Sequence, residues 1–319
     1  MLRNMPVVAI EEHYWDRELA DLFAAGESPR RPDQLQRLYD FDELRLGEMD
    51  AAGVDIQVIS HGAPSTQRLK GQNAVDIAQR VNDRLAAHVA RHPKRYAAFA
   101  ALPTDVPEAA ARELERCVRQ LGFKGAMTHG LSNGEFLDMP RFRPIFQAAD
   151  ALDVPIYLHP ANPNPVVADA YYNDYAKTYP MVIRPAWGFT VETATQAIRL
   201  VLSGVFNECK NLQIILGHFG ETLPFLLWRI NQALSRPGQD EMRFREIFCT
   251  HFHVTTSGHF STPALLCTML EMGIDRIMFS VDWPFVVHDG AMDWVRSLQM
   301  NDNDMAKFLG GNATRLLKL

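Results

Sequence analysis

Four short apolar runs, far apart in this chain, each lead to a residue that binds metals or moves protons. They are Val7-Val8-Ala9-Ile10-Glu11-Glu12-His13, Val154-Pro155-Ile156-Tyr157-Leu158-His159-Pro160, Leu212-Gln213-Ile214-Ile215-Leu216-Gly217-His218 and Ile277-Met278-Phe279-Ser280-Val281-Asp282. Such runs read as strands buried on both faces. A carboxylate or imidazole at the end of a buried strand costs free energy unless it is engaged. Four such ends in one chain point to a fold that gathers strand ends at one place. A closed parallel barrel does this at the mouth formed by the C-terminal ends of its strands.

The rest of the chain fits that architecture. Apolar strand-like segments fall near 7–12, 54–60, 96–102, 123–129, 154–159, 212–218, 252–257 and 276–282. Amphipathic stretches near 41–52, 71–91, 107–120, 140–152, 191–206, 221–235 and 261–273 separate them, and two more follow near 289–299 and 302–309. Strands alternating with helices in this way predict an α/β fold, a (β/α)8 barrel spanning 1–319 as one domain. An open doubly wound sheet is the rival. It is disfavoured because no Gly-x-Gly-x-x-Gly or P-loop follows the first strand. The candidate ligands also come from strands 1, 5, 6 and 8, and only closure brings the first and last strands together. With 319 residues, 47% of them hydrophobic, the chain can bury a core of that size.

Two connections are long, 14–40 and 160–190. The second holds Tyr171, Tyr172, Tyr175, Tyr179 and Trp187, which predicts a lid or a subunit contact over the mouth.

The charge balance removes several classes of function. A net charge of -6, a pI near 6.0 and no Lys/Arg run argue against a nucleic-acid partner. No apolar stretch reaches the ~18–20 residues that span a bilayer. The start, Met1-Leu2-Arg3-Asn4-Met5-Pro6, carries no signal-like apolar region, so a cytoplasmic location is expected. Cys117, Cys209, Cys249 and Cys267 have no Cys-x-x-Cys spacing and read as reduced thiols.

The chemistry concentrates at the strand ends. Alternation along a strand puts Glu11 and His13 on one side and Glu12 on the other. With His159 and Asp282 they form a mixed nitrogen and oxygen set suited to Zn²⁺ or Mn²⁺. Binuclear barrel hydrolases often bridge two metals with a carboxylated lysine at the end of strand 4. Here Lys124 opens that strand and its end is Thr128-His129-Gly130, so a single divalent ion is expected. His218 sits at a glycine turn, Gly217-His218-Phe219-Gly220-Glu221, with Glu221 opening the next helix. His61 ends strand 2 and could line the mouth. His259 and His288 are secondary candidates for substrate contact.

At this point the chain resembles a known family. The matching segments include Ala9-Ile10-Glu11-Glu12-His13, Leu152-Asp153-Val154-Pro155-x-Tyr157-Leu158-His159-Pro160, Ile215-Leu216-Gly217-His218-x-Gly220-Glu221, Thr255-Thr256-Ser257-Gly258 and Asp282-Trp283-Pro284-Phe285. They resemble the amidohydrolase superfamily, in the branch that holds gamma-resorcylate, 2,3-dihydroxybenzoate and 5-carboxyvanillate decarboxylases. The resemblance runs from Ala9 to Leu316. Glu-x-His on the first strand, in place of His-x-His, is the decarboxylase-like form.

The resemblance implies that Glu11, His13, His159 and Asp282 bind the metal, that His218 acts near Asp282, and that Glu221 supports His218. It places Phe285, Trp187 and Phe189 around an aromatic ring. It further implies a homodimer or homotetramer acting on a small aromatic carboxylic acid. Ser60-His61-Gly62-Ala63-Pro64 departs from the Ser-Leu-Asn-Ala-Pro of the resorcylate group, and the loop Leu131-Ser132-Asn133-Gly134-Glu135 is shorter.

The expected reaction is non-oxidative decarboxylation of a hydroxybenzoate, with Asp282 as the proton donor to the ring. The alternative is a metal-dependent hydrolase of a lactone, an amide or a carbon–carbon bond in aromatic catabolism. Glu11 at a position where hydrolases of the superfamily carry histidine favours the first.

Overall fold

A computed structural model describes residues 6–23, 30–235 and 243–319. Its strands are β1 (Val8–Tyr14), β2 (Ile56–His61), β3 in two segments (Tyr96–Ala98 and Ala100–Ala101), β4 (Ala126–His129), β5 (Ile156–His159), β6 (Ile214–Leu216), β7 (Phe252–Thr255) and β8 (Ile277–Met278). Every neighbouring pair is parallel. β3 is divided at Phe99, whose N–H still bonds Ile59 O at 3.0 Å while Ala100 N bonds Gly125 O at 2.9 Å, so one chain segment joins the sheet holding β1 and β2 to the sheet holding β4–β8.

The circle closes between β8 and β1. His13 N donates to Trp283 O at 2.7 Å and Asp282 N donates to Glu11 O at 3.0 Å. Glu12 and Trp283 form a parallel bridge there. These contacts, with the helices that separate the strands, make the expected (β/α)8 barrel.

Two apolar cores follow from alternation along the strands. Val8, Ile10, Val58, Ala97, Phe99, Met127, Tyr157, Ile215 and Met278 fill the barrel interior, where Ala313 and Leu317 of the last helix, Asn312–Leu317, join them. The other strand faces meet the helices in a larger core. Helix Gly71–Arg91 shows why these segments are helical: its buried Ala74, Ile77, Ala78, Val81 and Leu85 recur every three or four residues. Helix Pro107–Leu121 has proline in its first turn and ends at Gly122, whose φ of 74° suits glycine.

Several elements depart from the sequence expectation. The 160–190 connection holds a helix, Pro165–Ala176, capped by Asn164, whose side chain accepts from Val166 N. It has no apolar stripe, since only Tyr172 is buried, so periodicity could not find it. Helix Phe244–His251 was also missed, although Phe244, Phe248 and His251 carry a helical spacing and all face inward. The 14–40 connection contains Arg17–Ala20 and Pro32–Tyr39, and residues 24–29 of it lie outside the described residues. The four cysteines are free thiols. Among the described residues no helix is long and apolar enough to cross a membrane.

Candidate metal centre

The first strand does not keep a single alternation. Val8 and Ile10 point into the barrel while Ala9 packs outward. Continued strictly, that phase would turn Glu12 inward. Instead the pairing with β2 shifts between Ala9 and Glu12. Such a bulge re-aims the side chains beyond it. Glu11 and His13 thereby reach the mouth, and Glu12 turns toward the β8 seam.

One ligand atom each from Glu11, His13, His159 and Asp282 lies within 4.8 Å of the other three. His13 Nε2 is 3.2 Å from Asp282 Oδ1, and His159 Nε2 is 3.2 Å from Glu11 Oε1. Ligands about 2.0–2.2 Å from one ion lie about 3.3–3.6 Å apart in a tetrahedron and at most about 4.4 Å apart, so the two pairs at 3.2 Å already have ligand spacing and the wider ones need to close. Glu11 Oε1, His13 Nε2 and Asp282 Oδ1 are buried with no hydrogen-bond partner. Buried polar atoms are rarely left unsatisfied, and a cation among them accounts for all three. The donor set fits a divalent ion of the zinc or manganese type.

The opposite sides of these ligands are tied down. Glu11 Oε2 accepts hydrogen bonds from the hydroxyls of Tyr157 and Ser257. Thr255 Oγ1 stands further off, at 3.5 Å. His159 Nδ1 donates to Pro160 O at 2.6 Å, which leaves the Nε2 lone pair facing the site. His13 Nδ1 meets Ser60 Oγ at 3.2 Å. A Cβ at Gly217 would lie 2.9 Å from Glu11 Oε2 and 3.0 Å from Ser257 Oγ, so the glycine is what lets the β6 turn approach this cradle.

The electrostatics divide the two carboxylates. Burial opposes ionisation of Glu11, but the facing imidazole of His159, with His218 and His13 adding, outweighs it and holds Glu11 down at about 2 in the metal-free site. Burial, then the nearby Glu11 charge, push Asp282 up to about 8. Burial takes His13 down to about 4, so its imidazole is neutral and able to ligate.

His218 lies in a tight turn where His218, Phe219, Gly220, Glu221 and Thr222 all have left-handed φ, between 49° and 77°. The following helix begins at Leu223, so Glu221 does not open it. Its carboxylate turns back to His218, with Nδ1–Oε1 2.8 Å. Burial works against charge on His218, but Glu221 overrides it, with Glu11 and Asp282 adding, and the ring is raised to about 10.

The remaining expected site residues divide. Phe285 lies over His13, ring centroids 5.5 Å apart, and the Arg30 guanidinium covers its ring at 4.5 Å. Phe189 is half-buried near the start of helix Gly188–Leu202. Trp187, which precedes that helix, is 51% exposed. His61 is corrected as a substrate contact: its Nε2 accepts from Asp16 N at 3.0 Å and its Nδ1 meets Gly62 O at 2.8 Å, so backbone consumes both nitrogens. His259 packs edge-on against Phe219 behind the His218 turn. His288 stacks behind Trp283 and bonds Gln57.

Sequence reasoning missed the Glu11 cradle. Tyr157 lies two residues before His159, on the same strand face, which is the signal that could have found it. Thr255 ends β7 and Ser257 follows it in the next turn, about a hundred positions on from Tyr157.

The sequence matches the amidohydrolase family over residues 10–319. It is 42% identical to the gamma-resorcylate decarboxylase of Rhizobium sp. (strain MTP-10005), covering 98% of each chain. A solved 2,6-dihydroxybenzoate decarboxylase in complex with 2,6-dihydroxybenzoate superposes with a TM-score of 0.90 at 41% identity, covering 99% of this chain and 100% of that one. A dihydroxybenzoic acid decarboxylase from Polaromonas sp. JS666, with bound manganese and the inhibitor 2-nitroresorcinol, gives 0.90 at 40% identity over 99% and 97%.

Proposed function

The chain belongs to the amidohydrolase family, and from that premise we propose that it is a metal-dependent, non-oxidative decarboxylase of hydroxybenzoate-type acids. The observation that carries this reading is the convergence of two buried, unpartnered ligand atoms, Glu11 Oε1 and His13 Nε2, on the likewise unpartnered Oδ1 of Asp282. Glu11, at the position where hydrolases of the superfamily carry histidine, supports decarboxylation over hydrolysis.

In this reading Glu11, His13, His159 and Asp282 hold one divalent ion, of the manganese or zinc type. When bound, the ion supplies positive charge that orients a phenolate and an adjacent carboxylate and stabilises their negative charge. Phe285 borders the substrate ring, with Phe189 further out. Asp282 gives its proton to the ring carbon that bears the carboxylate. The bond to the carboxylate then breaks, its electron pair restores the aromatic system, and CO2 leaves. Carboxylate plus one proton thus becomes arene plus CO2. The His218–Glu221 pair, an imidazolium against a carboxylate, sets the field in which Asp282 gains and loses that proton.

The test is decarboxylation in D2O. One deuterium at the carbon that lost its carboxylate, together with CO2 release, is expected. Oxygen from 18O-water in an organic product, with no CO2, would overturn the reading in favour of hydrolysis.

We read 1–319 as one domain of a cytoplasmic homodimer or homotetramer. Exposed apolar side chains support the assembly: Tyr171, Tyr175 and Tyr179 on one face, and Phe225, Trp228 and Leu270 on another. Light scattering showing only 36.1 kDa particles would refute it.

A further inference from the structure

One buried donor at the mouth has no part in the chemistry described so far. Glu11 and His13 reach the mouth from β1, and Trp15 is the next residue on that face. On β2, Ser60 meets His13, and Gly62 is the next residue on its face. Trp15 and Gly62 therefore stand one layer above the ligand His13, at the rim of the barrel. They meet there. A Cβ on Gly62 would lie 3.0 Å from Trp15 Nε1 and 3.7 Å from His13 Cβ, so the absence of a side chain at 62 is what leaves room for the indole nitrogen. Phe23 holds the ring edge-on, with centroids 5.3 Å apart. Trp15 is 6% exposed, and its Nε1 is buried with no hydrogen-bond partner. A buried N–H without an acceptor is rare and costs stability.

The surroundings narrow what this N–H can serve. The Arg30 guanidinium lies over the indole at 5.2 Å and over the Phe285 ring at 4.5 Å, and Phe285 in turn lies over His13. The charges that act on Arg30 are those of Arg184, from the other long connection, and of Asp282. Positive charge thus gathers beside the indole, on the β1 side of the mouth. An indole N–H only donates, and so does a guanidinium. An amine or ammonium finds nothing in these side chains to accept its protons. A hydroxyl accepts from the indole but leaves its own proton without a side-chain partner. A methoxy, nitro, carbonyl or carboxylate oxygen only accepts and leaves nothing unmatched.

We infer that Trp15 and Gly62 form a rim subsite in which the indole N–H donates to an acceptor-only substituent on the ring edge away from the metal. Trp15 is then a specificity-determining residue, and the substituent it holds stays on the product. The inference rests on the decarboxylase reading above and separates this chain from its resorcylate-type relatives. Gly62 stands where the resorcylate group carries asparagine, and a side chain there would press on the indole nitrogen. The second hydroxyl of a resorcylate matches this rim less well than an oxygen without a proton.

The experiment compares kcat/KM for 2-hydroxybenzoate with that for its methoxy, nitro, carboxy and hydroxy derivatives at the other ring positions, using the metal-loaded wild type, Trp15→Phe and Gly62→Ala. Calorimetric Kd values for the corresponding phenol products give a second readout that needs no turnover. The wild type is expected to favour at least one acceptor-substituted acid over both 2-hydroxybenzoate and the hydroxy derivative at the same position. Trp15→Phe keeps an aromatic ring and removes the N–H. It should lower that preference about 3- to 10-fold for an uncharged acceptor and more than about 10-fold for a carboxylate. Gly62→Ala, whose methyl displaces the nitrogen, should act in the same direction, and it decides where melting curves show that Trp15→Phe has not folded. Equal losses on substituted and unsubstituted acids, as expected if the indole only packs or anchors a water, would overturn the subsite and leave the decarboxylase reading intact. So would a wild type that prefers the hydroxy derivative. No CO2 from any acid would overturn the decarboxylase reading. The phenol Kd values then judge the subsite alone, and an order unchanged by Trp15→Phe overturns it too.

Discussion

Removing one hydroxyl from the floor of the metal centre should weaken metal binding by a predictable amount. Tyr157→Phe deletes a donor to Glu11 Oε2 and leaves the ring in place among Phe99 and the rest of the barrel interior. A hydrogen bond to a charged group contributes about 1.5–3 kcal/mol. At about 1.4 kcal/mol per factor of ten, the loss converts to roughly 10- to 150-fold in affinity. The Ser257 hydroxyl still serves the same oxygen, so about 10- to 100-fold is expected, the range seen when outer partners of metal ligands are removed. Thr255, 3.5 Å from that oxygen, gives an internal scale: Thr255→Val should cost less than about threefold, since contacts of that length contribute little.

The assay is Mn²⁺ and Zn²⁺ titration against a competing chelator, with thermal melting of the metal-free proteins alongside. The pH dependence has a defined sign. Glu11 is held low, at about 2 in the fold, so its ionised form survives acidification. Losing a donor to that ionised form raises its pKa, and metal release on acidification should therefore begin at higher pH in Tyr157→Phe. A metal Kd within twofold of wild type, in a variant that melts normally, would refute the view that this hydroxyl organises Glu11.

His218→Ala should keep the fold and lower turnover by about 10²–10⁴, and near-normal turnover would show the ring to be structural. Glu221→Gln removes the main group that raises His218 to about 10. Burial then dominates, the ring loses its proton at lower pH, and the alkaline limb of the pH–rate profile should move down; an unmoved limb would count against the pair. Glu12→Ala strands the N–H groups of Val281 and Trp283, which its carboxylate accepts at 2.8 and 3.3 Å. At about 1–3 kcal/mol for each unsatisfied buried group, urea unfolding should show a loss of about 2–6 kcal/mol. A loss below about 1 kcal/mol would mean that water or a neighbour replaces the carboxylate.

The barrel was legible in the sequence because its strands are buried on both faces and its helices on one. The strands therefore read as continuous apolar runs and the helices as amphipathic stretches of helical period. The four ligands were legible because each ends an apolar run, where a charged group has no structural reason to be. What could not be read depends on contacts between distant segments. Ser257 reaches Glu11 from 246 positions away. The role of His61 is set by the backbone of Asp16, 45 positions earlier. The bulge in β1 left no mark, since Ala9-Ile10-Glu11 is equally compatible with either phase. Helix Pro165–Ala176 was hidden for the opposite reason: with one buried side chain it has no apolar period to display.

The bulge shows why Glu11-Glu12-His13 occurs as a unit. By switching phase after Ile10 the strand sends residues 11 and 13 to the metal and residue 12 to the seam with β8. Glu12 then grips the N–H groups on either side of Asp282, the last metal ligand. Asp282 N bonds Glu11 O, and His13 N bonds Trp283 O. Buried Arg45 adds a hydrogen bond to His13 O at 2.6 Å and contacts Gln57, a neighbour of Glu12. The contacts that close the barrel are therefore the contacts that set the spacing of three of its four ligands. A change that opened the seam would carry Asp282 away from Glu11 and His13, so closure of the fold and assembly of the metal site are one structural event. Strict alternation could not produce this: it would leave Glu11 and His13 on the outer face and put a lone Glu12 in the barrel mouth.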